Sequence, residues 1–133
     1  MSTTVSESSF TGTVARVVPA VVSGSRIYID CPSWCTVDHV ESPEGHLEDV
    51  WHGGDYADLK VPRMDKTPDL LAFARLGLEP MDSDPQRRKA FVAVDDGGEG
   101  FYMRPDQADE FADNLEAFAA RIRAMARTAR DAA

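Results

Sequence analysis

The sequence predicts an α+β fold, a small and mostly antiparallel sheet with one long C-terminal amphipathic helix, and three observations carry the prediction. Short runs rich in β-branched and aromatic residues recur between Gly, Pro and Asp clusters up to Met103. The C-terminal segment replaces them with one apolar stripe of helical period. Within the strand-rich region both cysteines, all three histidines and both tryptophans crowd together from Cys31 to His52.

Taken in order, Met1 to Ser9 is mostly Ser, Thr and Val without amphipathic period and reads as a flexible tail. It has neither the basic start nor the apolar run of a signal peptide. Phe10 to Val18 alternates loosely and is expected to form an edge strand ending at Pro19. Ser23-Gly24-Ser25 reads as a turn, and Arg26 to Asp30 as a strand running into Cys31. Tyr56 to Val61 is a further strand that stops at Pro62. Leu70 to Leu78 fits a short helix or a buried strand, and its length together with Gly77 and Pro80 favours the strand. Glu79 to Lys89 is a polar loop. Ala90 to Val94 and Gly100 to Met103 flank Asp95-Asp96-Gly97-Gly98-Glu99, a hairpin signal because Asp and Gly tolerate positive φ.

The helix is expected over residues 105–130, with Pro105 at a first helical position, where its missing N–H costs nothing. Ala108, Phe111, Leu115, Phe118, Ile122, Met125 and Ala129 form a narrow stripe at alternating steps of three and four. Such a stripe suits a helix laid across a sheet, or one paired in part with another copy of the chain. At ~1.5 Å per residue the helix is roughly 39 Å long, more than so small a domain covers, so its end is expected to project. Acids fill the first half and Arg121, Arg123, Arg127 and Arg130 the second, which complements the helix dipole and favours antiparallel pairing of two helices.

The chain has 133 residues, 43% of them hydrophobic and 28% charged, which fits one globular domain over residues 10–133. A formal net charge of −9 disfavours non-specific nucleic-acid binding and attachment to anionic membranes. No apolar stretch nears the ~20 residues that span a bilayer, so the expected compartment is the cytoplasm. There, two cysteines are more often a metal or redox pair than a disulfide framework.

The chemistry concentrates in the metal segment, residues 31–54. Cys31 and Cys35 are followed by His39, His46 and His52, and two thiolates with two neutral imidazoles make the charge-neutral tetrahedral shell that Zn²⁺ favours. The Cys-x3-Cys-x3-His spacing differs from the common zinc finger, yet a turn after Pro32 can return Cys35 and His39 to one point. For the fourth ligand His52 is preferred over His46, because a ligand at the start of a strand costs less ordering entropy than one inside the Pro43-Glu44-Gly45 turn. Asp38 and Asp49 are weaker alternatives. Trp34 and Trp51 are expected to shield the metal. The expected cofactor is therefore one structural Zn²⁺ per chain, held by Cys31, Cys35, His39 and His52.

Cys31-Pro-Ser-Trp-Cys35-Thr-Val-Asp-His39, the later His52-Gly53, the Asp95–Glu99 turn, Phe101-Tyr102-Met103 and the Pro-x-Gln-Ala start of the helix resemble a group of small proteins of Streptomyces and mycobacterial type. The likeness covers about residues 27–125. It implies metal binding and an actinobacterial host, or one of its phages or mobile elements, and it implies no activity.

Four closing ligands leave a metal no open position for water, so the expected function is a non-catalytic, zinc-stapled binding or regulatory module working through protein–protein contacts. Two alternatives are a thiol redox switch using Cys31 and Cys35, and a hydrolytic enzyme with an open zinc site and Asp55 or Glu48 as base. The spacing lacks the His-x-Glu and Pro-Cys-x-x-Cys pattern of zinc deaminases. The expected partner is a protein, possible self-association through the C-terminal helix included. An exposed apolar patch near the helix seam would favour a protein partner, and a continuous positive surface a nucleic acid.

Overall fold

The computed structural model describes residues 15–132, so the expectations for 1–9 and for the start of the first strand lie outside the described residues. The chain is α+β, with antiparallel strands and one long C-terminal helix. The strands divide between two sheets. The first is a hairpin of β1 (Ala15–Val22) and β2 (Ser25–Pro32). The second contains β3 (His52–Gly53), β4 (Ala57–Val61), β5 (Asp69–Leu78), β6 (Phe91–Asp95) and β7 (Gly100–Met103).

The first hairpin turns at Ser23 and Gly24, both at positive φ (53° and 77°), the geometry that matches a tight two-residue connection to the strand twist. β1 does not end at Pro19 but runs through it, with Pro19 opposite Tyr28. The reason is directional. Val21, two residues on and facing the same way, sends its N–H out of the ladder to the His39 carbonyl at 3.1 Å. The nitrogen of Pro19 therefore also points away from β2, and no ladder bond is lost.

β5 organises the second sheet. β6 lies along one side, and β4 and β3 share the other, β4 against the first part of β5 and β3 against its end. The apolar run Leu70–Leu78 gives no clean alternation, and only Gly77 and Leu78 at the end of β5 are fully buried. β6 and β7 form the hairpin expected around Asp95–Glu99. Gly97 takes φ 96° there, and the Asp96 carboxylate accepts the N–H groups of Gly98 and Glu99 at 2.8 Å. The second hairpin packs Phe91 against Tyr102, edge to face at 5.2 Å.

Helix α1 spans Pro105–Asp131. Its start is fixed by the Arg104 backbone N–H donating to the Gln107 side-chain oxygen at 3.0 Å. The strands it meets are chiefly β6 and β7, and none of its residues is buried. The apolar stripe is therefore not covered by the sheet. Phe118 and Met125 are each 61% exposed and Ile122 is 49% exposed.

Burial concentrates at the other end of the molecule. Ala20, Val22 and Val50 form a small core with Ile27 and Ile29 packed against it, and Leu78 and Phe91 are buried in the second sheet. Among the described residues, the largest fully buried side chains are His52, Pro32, Cys31 and Cys35. Several of the most buried side chains thus gather at a sulfur- and imidazole-bearing junction, and no helix of the described residues is long and apolar enough to cross a membrane.

Candidate metal centre

Each ligand-type side chain at this junction is placed by a different local device. Cys31 sits in β2 opposite Arg16. A tight turn follows, closed by the Cys35 N–H donating to the Pro32 carbonyl at 3.0 Å, which returns Cys35 towards Cys31. The next loop is held by Asp38, whose carboxylate accepts the N–H groups of Val40 and Glu41 at 3.0 and 3.1 Å. Those two bonds also hold the exposed Asp38 carboxyl below its ordinary range. His39 is tied to β1 through its carbonyl.

His52 arrives from the second sheet. It pairs with Leu78 in β3, while the Gly53 carbonyl accepts the Thr36 N–H at 2.9 Å and the Gly54 N–H donates to the Leu76 carbonyl at 3.0 Å. The hairpin thus contributes Cys31 and the loop behind it, and the second sheet contributes His52. Their meeting point joins the two sheets.

Cys31, Cys35, His39 and His52 are all buried, and one donor atom from each lies within 4.8 Å of the others. His39 Nε2 is 3.8 Å from the Cys31 sulfur and 3.7 Å from the Cys35 sulfur. Tetrahedral Zn²⁺ bonds of ~2.3 Å to sulfur and ~2.0–2.1 Å to nitrogen place neighbouring ligand atoms about 3.3–3.8 Å apart. The rings of His39 and His52 meet edge to face at 5.0 Å. Donor chemistry and spacing therefore fit a metal ion at the centre of the four side chains.

The two thiols interact through one proton. Cys35 is held far below the ordinary thiol range by its hydrogen bond with Cys31 and by further bonds with His39 and His52, and burial opposes the shift. Cys31 is pushed up by the same bond to Cys35 and by burial, against the pull of Arg16. A metal ion held at this point would take both sulfurs as thiolates, since a ligating cysteine gives up its proton.

Sequence reasoning named these four residues and missed their supports. Arg16 donates to the Cys35 carbonyl at 2.7 Å and lies 3.9 Å from the Cys31 sulfur. Its role depends on the β1–β2 register, which a single sequence does not reveal. Arg75 donates to the Gly54 carbonyl at 3.2 Å and to the Tyr56 hydroxyl, and lies over the rings of Trp51 and Tyr56 at 5.0 and 4.2 Å. A Cβ on Gly53 would come within 2.6 Å of Arg75 Cζ and of the Trp51 ring, so glycine lets this stack close beside His52. The signal for Arg75 was visible as a lone charge inside an apolar strand. Trp34 and Trp51 are half-buried on either side of Gly53 and Gly54, Trp34 packing at 3.7 Å from the Cβ position of Gly54.

The remaining candidates lie apart. His46 is exposed, at the start of a short 3-10 turn over Leu47–Asp49. Asp38, Glu48, Asp49 and Asp55 are exposed as well. No curated protein and no solved structure matches the chain. A family model does match, over residues 15–131, which takes in both sheets, all four buried Cys and His side chains and α1. The chain belongs to the family described as Domain of unknown function (DUF6907).

Proposed function

We propose that Cys31, Cys35, His39 and His52 hold one structural Zn²⁺, and that the chain is a non-catalytic binding or regulatory module acting through protein–protein contacts. The observation that carries this reading is the burial of all four donors at a junction between two sheets. Four protein ligands fill a tetrahedral zinc shell and leave no place for a reacting water, so the metal acts as a staple. The protein-contact part is supported by the apolar face of α1, which lies open to solvent beside exposed Phe101 and Leu71 on the sheet. Large exposed apolar faces on soluble domains mark contact surfaces.

Elemental analysis of freshly reduced protein tests the metal. The expected result is one zinc per chain, lost in Cys31→Ser and in His52→Ala and kept in His46→Ala. Protein that carries no metal would overturn the centre.

Arg16 supplies a second test. Its guanidinium adds positive charge beside two sulfurs and fixes the Cys35 backbone. Outer-shell partners of this kind change metal affinity by roughly 10–100-fold. Arg16→Met keeps most of the stem and removes the charge, and competition against a chromophoric chelator should show zinc affinity falling within that range. Affinity equal to that of the unsubstituted protein would mean that Arg16 serves only the hairpin.

A further inference from the structure

We propose that the free edge of β2 pairs with the same edge of a second copy of this chain, antiparallel about a two-fold axis at Tyr28, so that two hairpins form one continuous sheet. The surface is not that of α1, so the proposal goes beyond the reading above, and it does not depend on the metal. A two-stranded sheet is marginal in water, and joining two of them at an edge removes that weakness.

The hairpin register fixes what this edge presents. Val21 sends its N–H away from β2, to the His39 carbonyl, and Val21 lies opposite Arg26. In an antiparallel ladder, opposed residues point their backbone groups either at each other or both away. Arg26, Tyr28 and Asp30, which face Val21, Pro19 and Val17, therefore turn their N–H and C=O groups outward. None of these groups has a hydrogen-bond partner among the described residues. Nor is the edge closed by a bulge. The β2 register runs unbroken, whereas that of β4 shifts between Leu59 and Lys60.

Arg26-Ile27-Tyr28-Ile29-Asp30 is complementary to itself when reversed. Pairing about Tyr28 sets Arg26 opposite Asp30 of the other copy, Ile27 opposite Ile29, and the two tyrosines opposite each other. Arg26, Tyr28 and Asp30 are exposed on one face of the hairpin, and neither charge has an ion-pair partner among the described residues. In the pair each charge meets its opposite, with Cα atoms about 5.5 Å apart. Ile27 and Ile29 pack half-buried against the hairpin core, and their meeting on the other face carries that core across the axis. Register follows from the charges. Sliding the copies by two residues sets Tyr28 against Arg26 or Asp30, and sliding by four sets like charges together. Isologous contacts require such self-matching, and main-chain bonds at a strand edge supply the affinity.

Analytical ultracentrifugation of the full zinc-loaded chain tests the proposal, with elemental zinc and circular dichroism as checks that each variant is folded. The unsubstituted chain should be a dimer at about 100 µM. Arg26→Asp sets acid against acid at both ends of the seam, and Asp30→Arg sets base against base. Each alone should weaken the dimer at least roughly tenfold. An equimolar mixture of the two should recover a 1:1 dimer, and the chain carrying both changes should pair with itself again. Amide hydrogen exchange locates the seam, because the N–H groups of Arg26, Tyr28 and Asp30 should be protected in the dimer and exposed on dilution. A folded, zinc-bound monomer at about 100 µM would overturn self-pairing and leave the metal centre standing. A dimer in which those three N–H groups exchange freely would overturn β2 as its seam. Single changes without effect, or a weakening that neither the mixture nor the double change repairs, would overturn the pairing of Arg26 with Asp30.

Discussion

Stripping the proposed zinc, by chelation or by Cys35→Ser, is expected to cost at least about 5 kcal/mol and to abolish cooperative unfolding of the two-sheet junction. The expectation follows from how little else joins the parts. An isolated two-stranded hairpin is marginal in water, and the β1–β2 hairpin has a core of Ala20 and Val22 against Val50. The stretch from Cys35 to His52 contains a single short 3-10 turn. It takes its shape from the Asp38, His39 and Gly53 hydrogen bonds and from one bridge in which the Glu44 backbone pairs with Val21 and Ser23 of the hairpin. Structural zinc contributes roughly 10–16 kcal/mol of apparent binding free energy in small domains, as much as the whole stability of many folded chains. Ser at position 35 keeps nearly the same size and loses the thiolate, so the change isolates metal chemistry from packing. Denaturant titration followed by circular dichroism, before and after chelation and again after zinc is restored, gives the comparison. His46→Ala should shift stability by no more than about 0.5 kcal/mol, as an exposed substitution does. If metal-free protein unfolds at the same denaturant concentration as the loaded form, the junction stands on its apolar contacts and the staple reading fails.

What the sequence made legible depended on whether the signal was local. The α1 stripe, the Asp95–Glu99 hairpin and the gathering of Cys and His in one segment each arise from residues close in the chain, and each has its counterpart in the structure. The division of strands between two sheets was not legible, because alternation within a strand says nothing about which strand it pairs with. Pro19 misled for a related reason. A proline ends a strand only where its nitrogen faces a ladder, and that direction is set by a register fixed elsewhere. β3 is two residues long and leaves no periodic trace, yet it delivers His52. The position of α1 was half legible. Its amphipathic face was plain, but whether the sheet or another surface covers that face depends on the size of the sheet, which sequence pattern does not report. Arg16 and Arg75 belong to the same class, since their partners are 15 to 21 residues away in the chain.

Gly77→Ala is the second substitution expected to act strongly, at about 2–4 kcal/mol, and it separates the sheet from the metal. Gly77 stands at a crossing. It pairs with Gly53 of β3 on one side and with Phe91 of β6 on the other. The Phe91 ring folds across the glycine, and a Cβ there would fall 2.5 Å from Cε1 and 2.7 Å from Cζ, well inside contact distance. The ring has little room to retreat, because Phe91 is buried and its outer edge rests on Tyr102. The clash must therefore move the ring off Tyr102 or push β5 and β6 apart, and either loses packing in the second sheet. β3 also leans on Gly77, so the alanine should reach the site as a small displacement of His52 rather than as loss of a ligand. Zinc stoichiometry should accordingly remain that of the unsubstituted protein while the unfolding midpoint falls. Phe91→Leu provides the cross-check. Alone it destabilises by removing the ring, but in the Gly77→Ala background it should restore part of the loss, giving a coupling of about 1 kcal/mol or more between two residues in direct contact. Strict additivity in that cycle would show that the ring over Gly77 does not set the cost.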